Sequence, residues 1–283
     1  MPNGNVVLYD KNDRLVWQSF DHPVDALLVG QTLKNKLVSK NGAYSLVLEP
    51  TGLSMYINNA SSSRTPLKYG AFVESQKLSS VKFECEPEDE GKFAYELRLA
   101  LGVNIGTEIL ARPKYNATLS FLRLEEDGNL VVYTYYDPVD YRAWEKTFAF
   151  FSDDLGRVDG CDLPTKCGAL GVCEDEMCVA CPTRRGLLGW SENCATQAIA
   201  GKCKRGRSLE YYKVEGVDNF LSGYGEGEGR LKVEECRRRC DLDCECVGFL
   251  YWEKESKCWV APWIGTLKSV ADASHVAYIK YAN

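Results

Sequence analysis

Histidine is nearly absent from this sequence, which contains only two, and neither has a companion at metal-ligand spacing. His22 stands beside Pro23 and His275 lies near the C-terminus, so we interpret both as structural residues and predict no metal site and no cofactor. A serine nucleophile elbow, a phosphate-binding loop and a dinucleotide fingerprint are also missing. The chain is therefore predicted not to be an enzyme, although a glycosidase-like carboxylate pair is an alternative that spacing alone does not test.

Long apolar runs and an excess of basic residues are missing as well. No segment approaches the roughly 20 apolar residues of a membrane-spanning helix, so we predict no insertion into a membrane. The formal net charge of −6 disfavours nucleic acid as a partner. The first residues lack the basic and apolar segments of a secretory leader, and we expect further sequence to precede them.

Cysteine is scarce in the first 160 residues and abundant afterwards. Of the 13 cysteines, 12 lie between residues 161 and 258, and Cys85 stands alone. Such density predicts an extracellular, oxidising setting in which disulfides stabilise small modules. Glycosylation sequons at Asn59 and Asn116 agree with secretion. Cys85 is free, paired with sequence outside this chain, or available for an intermolecular bridge.

Among the residues that are present, the stretch from Leu119 to Tyr136 carries the clearest pattern. It predicts a hairpin of two alternating strands folded over Asp127-Gly128. Because strand side chains alternate with period two, one face is expected to carry Glu125, Asp127, Asn129, Val131 and Tyr133. Two carboxylates, an amide, a methyl pair and a phenol suit a hydroxyl-rich ligand.

This spacing resembles the mannose motif of bulb-type lectins, Q-x-D-x-N-x-V-x-Y, with Glu125 in place of the glutamine. The resemblance implies that Asp127, Asn129 and Tyr133 hold the sugar hydroxyls while Val131 packs on the sugar carbons. A glutamate can only accept where the glutamine would donate, so we expect mannose-type carbohydrate to be bound weakly or not at all. The alternative is an ordinary core-lining strand of a lectin-like fold.

Two further stretches resemble weaker copies of the same strand. The first is expected to form a degenerate second site, with matching residues at Asn3, Asn5, Val7 and Tyr9. The second runs from Tyr44 to Tyr56 and lacks both the acid and the amide, so its sheet is predicted to be structural.

The residues from Trp17 to Gln31, WQSFDHPVDALLVGQ, are similar to the signature that closes the first bulb-lectin domain of S-domain proteins. The resemblance implies that residues 1–36 are the last part of one such domain, a prism of three small sheets, and that residues 37–152 form a second. An incomplete prism would expose strand edges and an apolar face, so we expect it to contact the second domain or a partner. In the second domain Trp144 is expected to be a core aromatic, and the acidic run from Glu84 to Glu90 a solvated loop rather than a calcium site.

Residues 153–200 resemble an EGF-like module, with gaps of five, five, four, two and twelve residues between its six cysteines. The resemblance implies the pairs Cys161–Cys173, Cys167–Cys178 and Cys181–Cys194. Six cysteines permit 15 pairings, so the assignment rests on the family. A zinc site at Cys178 and Cys181 is the alternative, which the extracellular setting disfavours.

Residues 201–283 resemble a PAN (apple) domain. The stretch from Leu231 to Cys240 predicts an amphipathic helix that turns two cysteines to the core and three arginines mostly to water. The resemblance implies the disulfides Cys236–Cys258 and Cys240–Cys246, with Cys203 and Cys244 as a further pair.

Taken together, the predicted fold is mainly β and multidomain, with β-prism lectin-like domains, an EGF-like module and an α+β PAN domain. This order resembles plant secreted glycoproteins related to S-locus glycoproteins and to epidermis-specific extracellular glycoproteins. The resemblance implies a secreted protein of the cell wall or apoplast. We expect an extracellular binding glycoprotein; the alternatives are a structural, self-associating glycoprotein with degenerate sugar sites, or a module that recognises a protein ligand. A mannose-type glycan and a protein partner or second copy are the partners this implies.

Overall fold

Short alternating runs of apolar residues fold as strands of two to eight residues, as the sequence predicts. The computed structural model describes residues 4–58, 65–74, 77–89, 91–102, 105–136, 142–196 and 209–282. It is mainly β, with 49% strand and 8% helix, and no helix in these ranges has the length and apolar character to cross a membrane. The chain divides into two compact units, residues 1–56 with 71–157 and residues 57–70 with 158–283.

Strands dominate the chain before residue 157. They are β1 (Val7–Tyr9), β2 (Leu15–Gln18), β3 (Ala26–Leu28), β4 (Thr32–Leu33), β5 (Lys36–Val38), β6 (Tyr44–Glu49), β7 (Gly52–Ile57), β8 (Leu67–Glu74), β9 (Val81–Pro87), β10 (Tyr95–Ala100), β11 (Thr107–Ala111), β12 (Ser120–Leu124), β13 (Leu130–Tyr136) and β14 (Ala143–Ala149). A 3₁₀ helix, Ser19–Asp21, follows β2.

Three four-stranded sheets form the lectin-like part, with the orders β14-β13-β12-β3, β11-β10-β9-β4 and β5-β6-β7-β8. One strand of each sheet comes from the short segment 26–38, since β3 pairs with β12, β4 with β9 and β5 with β6. The expected domain boundary between residues 36 and 37 falls inside β5. The end of the S-domain-like signature and the residues directly after it therefore supply one edge strand to each of the three sheets.

Burial explains why this segment joins the sheets. Each of its strands turns one leucine inward, and Leu27, Leu33 and Leu37 are at most 1% exposed. The expectation that Trp144 is a core aromatic is wrong, because its side chain is 47% exposed on β14. The buried aromatic of that strand is Phe148, which is 1% exposed and lies beyond a shift in the register between β13 and β14.

The acidic run also differs from the expectation of a solvated loop. Glu84 and Glu86 lie within β9, and the Glu84 carboxylate accepts from Arg98 at 3.3 Å and pairs with Lys82 at 3.0 Å. The reason lies just before the acids, where Val81 and Phe83 are buried at alternate positions and start a strand that continues into the acidic run.

The strands and helices after residue 157 form two sheets and a helical layer. They are β15 (Leu170–Glu174), β16 (Met177–Thr183), β17 (Gly186–Gly189), β18 (Leu209–Glu215), β19 (Val217–Asp218), α1 (Phe220–Tyr224), α2 (Val233–Leu242), β20 (Gly248–Trp252), β21 (Lys257–Ala261), β22 (Gly265–Ser269) and β23 (His275–Ala282). A 3₁₀ helix spans Gly160–Asp162. The sheet orders are β17-β16-β15-β22-β19 and β18-β23-β20-β21.

The first of these sheets joins the two expected disulfide modules. Strand β15 pairs in parallel with β22, with Leu170 opposite Gly265 and Cys173 opposite Lys268. The expected boundary at residue 200 therefore separates segments that share one sheet.

The amphipathic helix lies at Val233–Leu242 as α2, close to its predicted position, with both of its cysteines fully buried. Among the described residues the disulfides are Cys161–Cys173, Cys167–Cys178, Cys181–Cys194, Cys236–Cys258 and Cys240–Cys246. These are the same pairs that the family resemblance implies. Cys203 lies outside the described residues, so its pairing with Cys244 stays a prediction.

Candidate functional site

The hairpin that carries the lectin-like motif is formed by β12 and β13, with Phe121 opposite Tyr133 and Leu124 opposite Leu130. Its turn is longer than a two-residue turn, because the Glu125 N–H donates to the Asn129 carbonyl at 2.8 Å. Gly128 has a φ of +91°, a backbone conformation that favours glycine. Positions 125 to 129 therefore form the turn, and only Val131 and Tyr133 of the motif lie on a strand.

Three of the five motif residues come together at the surface end of this hairpin. The Tyr133 phenol donates to the Glu125 carboxylate, and burial together with the charges of Glu125 and Asp127 raises the pKa of Tyr133 to about 12. The ring of Tyr133 stacks on Phe121 with 5.2 Å between centroids. The carboxylate that replaces the glutamine of the motif thus accepts the hydrogen bond that the Tyr133 phenol could otherwise donate to a sugar hydroxyl.

The other two motif residues point to the interior. Asn129 is 8% exposed and Val131 is 2% exposed. The Asn129 amide nitrogen donates to the Phe151 carbonyl at 3.1 Å, and its oxygen accepts from the Phe151 N–H at 3.1 Å. These two bonds fix the orientation of the Asn129 amide, and turning it toward a ligand would break both of them.

The degenerate second site has a similar amide. Asn5 is 6% exposed, and its oxygen accepts from the Phe20 N–H at 3.2 Å and from the Ser19 hydroxyl at 3.1 Å, while its nitrogen donates to Gln18 at 2.9 Å. Asn3 lies outside the described residues, and Tyr9 is 52% exposed. In both copies the asparagine side chain hydrogen-bonds to the backbone of a later segment, Asn129 to Phe151 and Asn5 to Phe20.

The third copy repeats the pairing of a tyrosine with a glutamate. The Tyr56 phenol and the Ser54 hydroxyl both donate to the Glu49 carboxylate. Burial and this carboxylate raise the pKa of Tyr56 to about 12. Two sheets therefore hold a neutral phenol against a carboxylate at the place where the motif would contact a sugar.

Residues of the S-domain-like signature border a cavity of about 610 Å³, whose walls include Phe20, Asp21 and His22. His22 stacks on Trp17 with 5.5 Å between ring centroids. Its neighbour Asp21 accepts from the Gln18 side chain at 2.9 Å. The side chains of Trp17, Gln18, Asp21 and His22 thus contact one another beside this cavity.

Sequence reasoning missed a second cavity, of about 390 Å³, in the unit that contains the disulfides. Its walls come from separate segments and include Asp162, Ser222, Trp252 and Lys268. No motif or regular spacing connects these positions in the sequence, so only the fold brings them together.

The sequon asparagine Asn116 is exposed, and its side-chain oxygen accepts from the Thr118 N–H at 3.0 Å and from the Thr118 hydroxyl at 2.8 Å. Asn59 lies outside the described residues. Cys85 is free and half-buried. In the described ranges no group of three or more histidine, cysteine, aspartate and glutamate side chains could hold a metal ion.

Comparison with known proteins relates the whole chain to plant glycoproteins. The chain is 42% identical to EP1-like glycoprotein 1 of Arabidopsis thaliana, over 99% of this chain and 69% of that protein. It is 45% identical to the epidermis-specific secreted glycoprotein EP1 of Daucus carota, over 68% of this chain and 66% of that protein. It is 25% identical to an S-locus-specific glycoprotein of Brassica oleracea var. alboglabra, over 88% of this chain and 59% of that protein. No family model matches the chain.

Proposed function

We propose a function from one premise: the chain belongs to the family of EP1-like secreted glycoproteins. It is a secreted, lectin-like glycoprotein, and we place it in the apoplast or cell wall. Its role is binding rather than catalysis, which is supported by the names of the relatives that it matches over most of their length, all of them glycoproteins.

The face that carries Glu125, Asp127, Asn129, Val131 and Tyr133 binds mannose-type carbohydrate weakly or not at all. The observation that carries this proposal is the engagement of the motif by the protein itself. Both polar atoms of the Asn129 amide are bonded to Phe151, and the Tyr133 phenol donates to Glu125. A sugar would have to replace these bonds with bonds of equal quality, so its net gain is small.

Titration calorimetry with mannose and with a mannose-rich oligosaccharide tests this proposal. We expect no saturable heat in the millimolar range for the wild type. The Glu125→Gln variant restores a donor and removes the charge beside the Tyr133 phenol, so we expect it to bind mannose measurably better than the wild type. Tyr135→Phe is the matched control, because it removes a phenol from the same strand outside the motif.

The contrary result is millimolar or tighter binding by the wild type that Tyr133→Phe abolishes and Tyr135→Phe preserves. That outcome would mean that the site opens for its ligand and that this protein is a functional mannose-type lectin. Far-UV circular dichroism of each variant would show that the loss is not caused by unfolding.

Self-association is a second candidate function, favoured by the small sheet of β1 and β2. These strands pair only with each other among the described residues. Leu8 lies opposite Trp17, and their side chains are 55% and 38% exposed. An apolar face on a sheet with unpaired edges favours pairing with another chain.

Sedimentation velocity over a range of concentrations tests this second function. We expect a dimer that Leu8→Lys shifts toward the monomer, because a charge on the exposed face opposes its burial. Leu119→Lys is the matched control, since Leu119 is 54% exposed elsewhere in the same unit. A wild type that stays monomeric at every concentration would contradict self-association.

Glycosylation at Asn116 completes the proposal. The exposed sequon offers the acceptor amide to solvent, as modification requires. Protein expressed in plant cells should lose the mass of one glycan when Asn116→Gln is introduced. An unchanged mass would show that this sequon is not used.

A further inference from the structure

Strand β17 is an open edge of the five-stranded sheet in the second unit. Among the described residues it pairs with β16 alone, and all four of its residues are exposed. The outer side of such a strand presents backbone N–H and C=O groups that have no partner in the sheet. Proteins usually protect an edge with charged side chains, proline or a bulge, but β17 reads Gly-Leu-Leu-Gly. This edge therefore favours pairing with a further strand.

An apolar patch reaches this edge from β16. Alternation places Met177, Val179 and Cys181 on one face of β16, and the register puts Leu188 opposite Cys181. Trp190 continues the same alternation after β17. The side chains of Met177, Val179, Leu188 and Trp190 are all exposed. A strand added beside β17 would cover part of this patch, which supplies a gain beyond the backbone hydrogen bonds.

The edge is held in position before any partner arrives. The Thr183 hydroxyl donates to the Gly186 carbonyl at 2.8 Å across the turn, and the disulfide Cys181–Cys194 ties β16 to the segment after β17. The Trp190 indole nitrogen donates to the Cys167 carbonyl at 3.5 Å. Because these contacts already order the hairpin, pairing at its edge requires little further loss of conformational freedom.

Charges of opposite sign flank the strand and indicate what pairs with it. Arg184 and Arg185 form the turn before β17, and Glu192 follows it. The Arg184 guanidinium lies over the Tyr281 ring at 4.9 Å, whereas the exposed side chains of Arg185 and Glu192 form no ion pair within the described ranges. An antiparallel copy of the same strand reverses this order, so that the basic end of each copy lies beside the acidic residue of the other.

We propose that the β17 strands of two copies of this chain pair antiparallel about a two-fold axis at Leu188. This axis places Leu187 of each copy opposite Gly189 of the other, and Arg184 opposite Glu192. The contact is separate from the sheet of β1 and β2 and does not rest on it. Because only four residues of each strand take part, the interface belongs to the small, weak class, and we expect a Kd of about 0.1–1 mM.

Sedimentation equilibrium of the full chain tests this pairing in the Leu8→Lys background, where the sheet of β1 and β2 is blocked. We expect a monomer at micromolar concentration and a dimer near about 1 mM. Adding Leu188→Lys should weaken this dimer about tenfold or more, because like charges then face each other across the axis. Leu242→Lys is the matched control, since Leu242 is an exposed leucine at the end of α2 in the same unit, and it should leave the Kd unchanged.

Reversal of the flanking charges tests the antiparallel arrangement itself. Arg185→Glu places two acidic ends together and should weaken the dimer about threefold to fivefold. Combining Arg185→Glu with Glu192→Arg exchanges the charges and should restore the original Kd. Far-UV circular dichroism checks the fold of each variant, and if Leu188→Lys does not fold, the charge reversal and its restoration carry the test.

Three results would overturn the proposal. They are a Leu8→Lys protein that stays monomeric at about 1 mM, a Kd that Leu188→Lys leaves unchanged, and a double charge reversal that associates no better than Arg185→Glu alone. The outcome for the sheet of β1 and β2 is read separately, because it concerns the effect of Leu8→Lys on the wild type at micromolar concentration. Either contact can therefore fail while the other stands.

Discussion

Single side chains decide what the lectin-like face can do. Asn129 and Asn5 occupy matching positions in two copies of the strand pattern, and both accept from the backbone N–H of a phenylalanine, Phe151 and Phe20. In both copies, therefore, the side-chain amide stabilises the fold by bonding to the backbone. Sequence alternation predicted that Asn129 shares a face with Tyr133, and it could not predict the inward amide, because the turn takes up positions 125 to 129.

Lys280 is a buried cation whose role was not apparent from the sequence. It is 2% exposed, and its ammonium donates to the carbonyls of Cys240 and Cys246 at 2.6 and 3.1 Å. Cys240 lies in the last turn of α2, where carbonyl groups favour a cation. Lys280→Met removes the ammonium and leaves both carbonyls without this donor, so we expect it to lower the free energy of unfolding by about 1–3 kcal/mol.

Urea denaturation measures this loss, and Lys254→Met is its control. Lys254 pairs with Asp272 at the surface, where removing an ion pair changes stability by about 0–1 kcal/mol. Equal effects of the two substitutions would show that the buried contacts of Lys280 contribute no more than an exposed pair.

Cys85 shows how burial controls a thiol. Burial, followed by the charge of Glu86, raises the pKa of Cys85 to about 11, so the reactive thiolate is scarce at neutral pH and appears only as the pH rises toward that value. Compared with an ordinary thiol of pKa 9.0, the raised pKa leaves Cys85 with about 100-fold less thiolate at neutral pH. Since a more basic thiolate is more nucleophilic, we expect alkylation to be only about tenfold slower than for an unperturbed thiol.

Mass spectrometry of the Cys85 peptide after timed iodoacetamide treatment at pH 7.5 measures this rate. The same chain in guanidinium with its disulfides intact supplies the reference. An equal rate in the folded and unfolded chain would contradict the burial argument.

At the scale of elements, local patterns were predictable and distant pairings were not. The hairpin of β12 and β13 and helix α2 follow from alternation, turn residues and helical spacing within one stretch. In contrast, β3 pairs with β12 across about ninety residues, with Phe121 opposite Leu28. Nothing in the composition of residues 26–38 distinguishes the end of one domain from the edge strands of another, so the expected boundary cuts through β5.

Gly265 is the first residue of β22 and lies opposite Leu170 of β15, so a substitution there tests the parallel pairing of these two strands. It has a φ of +70°, and a Cβ there would lie 2.4 Å from the Pro164 carbonyl oxygen and 2.5 Å from the Trp263 ring. Because the left-handed conformation and the overlap both oppose a side chain, we expect Gly265→Ala to cost about 2–4 kcal/mol in unfolding free energy.

Thermal unfolding measures the effect of Gly265→Ala against that of Gly189→Ala. Gly189 ends an edge strand and has no atom within 4 Å of its missing Cβ. We expect the control to unfold within a few degrees of the wild type. A Gly265→Ala protein as stable as this control would mean that the segment adjusts without loss.

At the scale of the whole molecule, the two units are stabilised by different means. All of the described disulfides lie between residues 161 and 258, in the second unit. There the core is itself built partly from cystines, since Cys236, Cys240, Cys246 and Cys258 pack with Phe249 and Tyr251. In the first unit, leucine and phenylalanine side chains from three sheets fill the interior. Cysteine density predicted this contrast, and the sequence did not reveal that one sheet spans both expected disulfide modules.

Reduction of the disulfides should therefore destabilise the second unit much more than the first. A disulfide typically contributes about 2–4 kcal/mol and a folded domain has only about 5–15 kcal/mol, so the loss of several bridges exceeds what the second unit can sustain. Calorimetry with and without a phosphine reductant should show one transition lost and one preserved within a few degrees. Limited proteolysis of the reduced chain should digest residues 158–282 while fragments from 71–157 survive, because that segment contains no described disulfide. If both transitions vanish together, the first unit depends on the second for its stability; if both persist, the apolar side chains of the second unit are enough to keep it folded.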